Sequence, residues 1–256
     1  MDILVCVKQV PDDNVEIHLA VDVPGTANVD KITNAFDTYA LELAARYTEA
    51  NGGEVTAATI GDKDTESMMK NLLAVGAKKA YIFSDAVLEA GDEASTTAKL
   101  AQMVEKAQAE AGTTYGLILC GKESSDEISG QIGARLAEKL GVPFVSSVIE
   151  VEPVGDKLVV KQETEEGYIK YEVTTPVVCS IAKPNYDPRY PNIKAKMAAR
   201  KAVIPVIEGI ENAPSYVKNV GYAEPAKRAA GTKIQEKEAA DAVSKAMAQL
   251  LADKAL

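Results

Sequence analysis

The chain has 256 residues and a formal net charge of −10. It is long enough for one sizeable core with an appendage, and too acidic for nucleic acid or an anionic membrane to be its main partner. No apolar run is long enough to span a bilayer, and one histidine (His18) with three scattered cysteines (Cys6, Cys120, Cys179) leaves little room for a zinc site or a Ser/His or Cys/His triad.

Residues 2–8 read as a strand. No basic or Arg/Ser-rich stretch precedes it, so no targeting segment is expected and the location implied is cytoplasmic. All three cysteines fall in or at the end of apolar strands, as small core residues of a reduced compartment do. Pro11-Asp12-Asp13-Asn14 breaks the first strand, and a looser stretch to about residue 33, with Pro24-Gly25, reads as a small excursion. From 36 to 51, Phe36, Ala40, Leu43, Ala44 and Tyr47 fall on one helical stripe, which Asn51-Gly52-Gly53 ends. Then come strand 54–60, helix 64–75, strand 78–83, helix 93–111, strand 115–120 and helix 129–140, each helix closed by a glycine. Strand and helix alternate four times, the signature of an α/β fold with a parallel sheet covered on both faces.

Residues 144–152, 157–163, 168–174 and 177–182 read as β segments, an antiparallel meander or hairpin added to that sheet. A Pro-rich turn over 183–191, a short basic helix at about 192–201 and a strand at 203–207 complete a domain of residues 1–207. Residues 208–234 show no periodicity, and a helix at about 235–253 follows. So long an irregular connection is out of place inside a compact domain. Residues 208–256 therefore read as an arm and helix that lie on another subunit.

Ligands of open parallel sheets bind beyond the carboxyl ends of the strands. Two such ends are Val7-Lys8-Gln9-Val10-Pro11 and Cys120-Gly121-Lys122-Glu123-Ser124-Ser125, the second leading into a helix with Gly130 and Gly133 in its first turns. An interior glycine costs a helix about 0.8–1 kcal/mol relative to alanine, so these two need a reason. A helix N-terminus is a ready anion site, and a missing Cβ lets a phosphate come close; close helix–sheet packing would use the same glycines. Ser124, Ser125 and Ser129 add hydroxyl donors. Asp126 and Glu127 oppose an anion there, unless one of them caps the helix. The loop is neither a GxGxxG fingerprint nor a P-loop.

Five ordered segments resemble one known family. They are VCVKQVPD (5–12), NAFDTYALE (34–42), GKESSDEISGQIG (121–133), KQETEEGYIKYEVTTPVV (161–178) and DPRYPNIKAKMAARK (187–201). Together they resemble the small (β) subunits of electron transfer flavoproteins, over most of the chain. That resemblance implies an adenine nucleotide alpha hydrolase-like (Rossmann-like) sandwich. It implies a heterodimer with a larger alpha subunit that holds a flavin, and docking to an acyl-CoA type or similar flavin dehydrogenase. The nucleotide would be structural AMP in simple members. In electron-bifurcating members it would be FAD, with NADH and ferredoxin or flavodoxin as further partners.

Carried over residue by residue, the resemblance implies a nucleotide pocket of Val7, Asn34, Asp37, Ile60, Gly121, Lys122, Ser124, Glu127, Gln131 and Ile132. Asn34 and Asp37 would cap and orient the first long helix at its mouth. Glu163 would lie near the flavin, and Tyr190, Ile193 and Met197 would dock the dehydrogenase. The sequence departs from the family pattern at Ala35, Gln162, Thr164-Glu165-Glu166 and the SSDEISG loop. The leading expectation is a redox carrier subunit of the bifurcating, FAD-binding kind, without catalytic residues of its own and without a metal. The rivals are an AMP-binding member, a stand-alone adenine-nucleotide regulatory protein, and a hydrolase or ligase acting on adenylates.

Overall fold

Strand β1 (Ile3–Cys6) is buried along its whole length, as the centre of a sheet covered on both sides must be. The structure, a computed structural model, describes every residue except 21, 22, 26–28, 86–90, 225, 228, 229 and 256. After β1 come β2 (Gln9–Pro11), β3 (Leu19–Ala20), β4 (Val23–Pro24) and β5 (Lys31–Thr33). These form two small antiparallel pairs, β2 with β5 and β3 with β4, and make up the excursion. Helix α1 (Ala35–Asn51), β6 (Val55–Ile60), a 3-10 turn (Lys63–Thr65), α2 (Glu66–Ala74), β7 (Lys79–Asp85), α3 (Glu93–Ala111), β8 (Leu117–Gly121) and α4 (Ile132–Leu140) continue the alternation. Then follow β9 (Phe144–Val154), β10 (Lys157–Thr164), β11 (Gly167–Val173), β12 (Val177–Ile181), α5 (Ile193–Arg200), β13 (Val206–Ile210) and α6 (Ala239–Ala252).

The main sheet has the order β11-β10-β9-β12-β8-β1-β6-β7-β13. From β9 to β13 all pairings are parallel, and β10 and β11 extend one side as an antiparallel ribbon. The meander is therefore shorter than the sequence implies. Strand β12 leaves it and inserts between β8 and β9, parallel to both. The register of Val177 with Leu117, and of Cys179 with Leu119, buries its five residues completely. The last core strand is also displaced, from 203–207 to Val206–Ile210, where it pairs with β7 at the sheet edge.

Alternate residues of a strand point to opposite faces, and two cores result. Ile3 and Val5 join Leu41, Leu43 and Met69 of α1 and α2 on one face. Leu4 and Cys6 join Met103, Val104 and Leu136 of α3 and α4 on the other. Helix α3 ends where expected, at Gly112 in the left-handed conformation, and its start is capped by Asp92, whose Oδ1 accepts from the Ser95 N–H at 2.9 Å. The chain forms two compact units, Met1–Gly221 and Tyr222–Leu256. Residues just past β13 are tied into the first unit: the Val217 N–H donates to Asp92 Oδ2 at 2.9 Å. In the second unit, α6 leaves Val243, Met247, Leu250 and Leu251 exposed along one stripe. Among the described residues no helix is long and apolar enough to cross a membrane.

Candidate functional site

Strand order reverses at β1, whose neighbours are β6 on one side and β8 on the other. Sheets of this kind bind ligands in the crevice at that point. A cavity of about 350 Å³ opens there. Val7 enters its wall from the end of β1 and Ile60 from the end of β6. Gly121, Lys122, Ser124 and Glu127 come from β8 and its loop, Asn34 and Asp37 from the start of α1, and Ile132 from α4. Nine of the ten carried-over positions thus share one cavity. Gln131 does not line it; its Oε1 accepts from Arg135 Nε at 3.1 Å and Nη2 at 2.9 Å.

The beginning of α1 fastens the two strand ends together. Asp37 is 4% exposed. Its Oδ2 accepts the Lys8 N–H at 2.7 Å, and its Oδ1 accepts the Gly121 N–H at 2.9 Å. One carboxylate therefore bridges the chain beyond β1 to the end of β8. Burial pushes its pKa up to about 6, although the two backbone N–H groups, Asn34 and Lys8 pull the other way. The Asn34 side chain does not cap α1. It donates to the Glu123 carbonyl at 2.9 Å and accepts the Ser125 N–H at 3.2 Å, so it holds the β8 loop instead. Gly121 is required here. A Cβ would lie 2.5 Å from Asp37 Oδ1 and 2.7 Å from Phe36 Cβ, too close to exist.

The acidic loop is neutralised from the other strand end. Lys8 Nζ lies 2.9 Å from Asp126 Oδ1 and 3.1 Å from Glu127 Oε2, and donates to Ser124 Oγ at 3.4 Å. Neither carboxylate caps α4, which begins at Ile132 rather than at 129, with Gln131 in the N-cap position. The two glycines answer different needs. Gly130 lies outside the helix at φ +63°, a conformation that favours glycine. Gly133 allows close helix–sheet packing: a Cβ would lie 2.9 Å from Phe144 Cε2 and 3.0 Å from Cys120 Sγ. Between them and the lysine-held carboxylates sits Ile128, at φ +53°. A β-branched residue there costs about 1–3 kcal/mol, the kind of strain that collects in functional loops.

Several lining residues lie outside the carried-over set. Cys6 and Cys120 lie on the inner wall, and burial pushes the Cys6 thiol up to about 12 and that of Cys120 well above its usual range. Thr96, Lys99 and Leu100 of α3 complete the opposite wall. Their signal was a lysine and a threonine one turn apart near the start of a helix that follows a sheet strand.

Away from the cavity, Tyr190, Ile193 and Met197 are strongly exposed, Tyr190 to 94%. The residue before them is not. Arg189 Nε donates to Glu42 Oε2 at 2.8 Å and Nη2 to Glu49 Oε2 at 3.0 Å, and Glu42 is 2% exposed on α1. Arg46 donates to the same glutamate and stacks 4.0 Å over the Tyr186 ring. Glu42 is held below its usual carboxylate range against its burial by Arg189 and Arg46. Glu163 lies on β10 opposite Tyr168 of β11, exposed and outside the cavity wall. Among the described residues no cluster of His, Cys, Asp or Glu is placed to hold a metal ion.

The geometry is that of a crevice at the switch point of a parallel sheet, with an exposed apolar segment fastened to the helix that begins at its mouth. The sequence profile of the electron transfer flavoprotein domain matches residues 25–211. The electron transfer flavoprotein subunit beta of Megasphaera elsdenii is 33% identical over 270 residues, which cover 99% of each chain. Its counterpart in Thermoanaerobacterium thermosaccharolyticum is 38% identical over 195 residues, 76% of this chain and 73% of that one. Subunit CarD of the caffeyl-CoA reductase-Etf complex of Acetobacterium woodii is 33% identical over 208 residues, covering 80% and 78%. With the domain matched over most of its length, and a beta subunit aligned almost end to end, this chain belongs to the electron transfer flavoprotein family, as one of its beta subunits.

Proposed function

We propose that the cavity holds the adenosine diphosphate half of an FAD. Joined to an alpha subunit in the cytoplasm, the chain would exchange electrons with NADH, an acyl-CoA type or similar flavin dehydrogenase and ferredoxin or flavodoxin, in a bifurcating complex. The observation that carries the reading is the meeting of nine carried-over nucleotide positions in one crevice at the switch point of the sheet. The cavity of about 350 Å³ is near the lower end of ligand pockets. It suits a nucleotide half and leaves the isoalloxazine to extend beyond it. Val7, Ile60 and Ile132 offer apolar contact to a base, while Ser124 and Lys122 offer donors to phosphate. When bound, the flavin supplies the electron transfer. This chain's residues hold it, fix its position and shield it from water.

The name of the relative CarD places that protein in a reductase complex, and a similar dehydrogenase partner is the natural reading here. The exposed Tyr190, Ile193 and Met197 are the surface for it. The exposed stripe of α6 supplies apolar area for the alpha subunit. AMP is the second reading, favoured by a cavity whose volume a mononucleotide would fill. Denaturing the co-purified heterodimer and identifying the released nucleotides decides between them. Two FAD per heterodimer supports the proposal, and one FAD with one AMP supports the second reading. A chain that purifies alone, without absorbance at about 450 nm, would make it a stand-alone nucleotide-binding protein instead.

A further inference from the structure

We infer that the partner surface seated on α5 is an acidic protein face, an apolar hollow rimmed by carboxylates; the inference rests on the reading above of this face as the dehydrogenase docking surface. Helix α5 is built inside out. It packs on α2, with Ala199 buried and Ala195 half-buried, so its inner stripe is made of the smallest side chains. Its two large apolar side chains, Ile193 and Met197, lie one turn apart on the outer face, 79% and 59% exposed. At 3.6 residues per turn, Lys196 and Arg200 flank that pair along one side, and Lys194 and Lys201 along the other. All four cations are exposed.

Only part of that charge serves the helix. Arg200 and Lys201 suit its carboxyl end, but Lys194 and Lys196 fall in its first half, where cations are disfavoured, and no acidic residue stands in the first turn. Lys196 and Arg200, four residues apart, are a like-charge pair that weakens a helix. Among the described residues no side chain pairs with any of the four. Arg189, just before them, is matched by Glu42 and Glu49. From Pro188 to Ile207 there is no acidic residue at all, in a chain whose net charge is −10. An acidic partner is thus repelled by most of this molecule and attracted at α5, which orients it before contact. Ile193 and Met197 then enter an apolar hollow, as central anchors ringed by polar contacts do. Eight residues with two large apolar side chains are too little to lie in a bilayer, so the occupant is a protein.

The test uses the full heterodimer and each acyl-CoA type flavin dehydrogenase of the same organism, with electron transfer followed by stopped flow from about 20 to about 300 mM salt. The second-order rate of the unmodified heterodimer should fall about tenfold over that range. Lys194→Glu with Lys196→Glu should lower the rate at low salt at least about tenfold and flatten its salt dependence, with turnover at saturating dehydrogenase and nucleotide content unchanged. Anions at a helix start are favourable, so the melting temperature should hold or rise, which separates lost docking from lost folding. Lys139→Glu, an exposed charge reversal on α4 at the opposite face of the sheet, should change the rate by less than about twofold. Ile193→Ser should lower it at every salt concentration. A salt-independent rate overturns the inference, as does one that the double substitution leaves alone or raises, or that Lys139→Glu lowers as much. If Ile193→Ser still slows transfer in those cases, the docking reading stands without the inference. A heterodimer that exchanges electrons with none of these dehydrogenases, or that is indifferent to Ile193→Ser and to the charges alike, removes both. Binding to phosphatidylglycerol vesicles that the double substitution abolishes, with electron transfer unchanged, makes a membrane the occupant and also overturns it.

Discussion

Replacing Asp37 with asparagine tests the bridge between the two strand ends. The carboxyl titrates at about 6 in the folded chain against an ordinary value of 3.8, and burial is the main cause. The folded state therefore holds this proton more tightly than the unfolded one. Between about pH 4 and pH 6 it binds more protons, so stability falls as pH rises through that window and then levels off. The difference corresponds to about 3 kcal/mol of stability present in acid and absent at neutral pH. Asparagine has the same shape and does not titrate. Urea unfolding of both proteins, from about pH 4 to about pH 7.5, isolates the contribution, because the other titrating groups cancel in the difference. The unmodified chain should lose about 2.5 kcal/mol relative to Asp37→Asn across that range, most of the full difference. Asparagine also sets its amide against one of the two backbone N–H groups, so the strand ends should loosen and bound nucleotide should fall at every pH. Parallel pH dependences for the two proteins would refute the reasoning.

Gly133→Val should cost about 1–3 kcal/mol, because its Cβ meets Phe144, Cys120 and Ser180; an unchanged melting temperature by calorimetry contradicts this. Arg189→Leu leaves Glu42 buried with only Arg46 for a charge partner and should destabilise the chain by about 2 kcal/mol, read from urea unfolding. Ile193→Arg should lower electron transfer to the cognate dehydrogenase at least about tenfold, as a lost docking anchor does, with nucleotide content unchanged; full turnover would count against docking there. Truncation after Gly221, at the boundary between the compact units, should leave a folded core that no longer joins the alpha subunit. A cut after Ile207 would instead sever β13, so retained association by the Gly221 truncation is the outcome that counts against the arm.

What the sequence made legible was mostly local. The stripe of α1 and the closure of α3 at Gly112 depend on neighbours within a few residues, and both helices lie where the pattern puts them. The insertion of β12 between β8 and β9 could not be read that way, because a buried five-residue strand looks the same whichever strand it joins. Nor could the start of α4: the serines and glycines before it suit a first turn or a loop equally, and Ile128 takes up a conformation that its side chain disfavours. In the site, the nine positions came from resemblance to a family. The roles of Asp126 and Glu127 depend on Lys8, more than a hundred residues away, and seemed unfavourable without it. Gln131 lies off the cavity wall because it precedes the helix and pairs with Arg135 along it. Thr96, Lys99 and Leu100 escaped because α3 reaches the cavity through packing, which the Thr96–Lys99 spacing alone does not announce.

Helix α1 serves both regions of interest. Asn34 and Asp37 at its start govern the crevice, and Glu42, Arg46 and Glu49 further along fix the chain just before Tyr190. From Asn34 to Glu49 is about 22 Å of rigid helix, at about 1.5 Å per residue. On the proposed reading, the helix is a common ruler against which cofactor and docking partner would both be measured. If the exposed segment docks a dehydrogenase as proposed, redirecting the subunit to another would mean exchanging Tyr190, Ile193 and Met197 while keeping Arg189 and the α1 carboxylates as a set. Exchanging the ruler itself would recalibrate both ends at once.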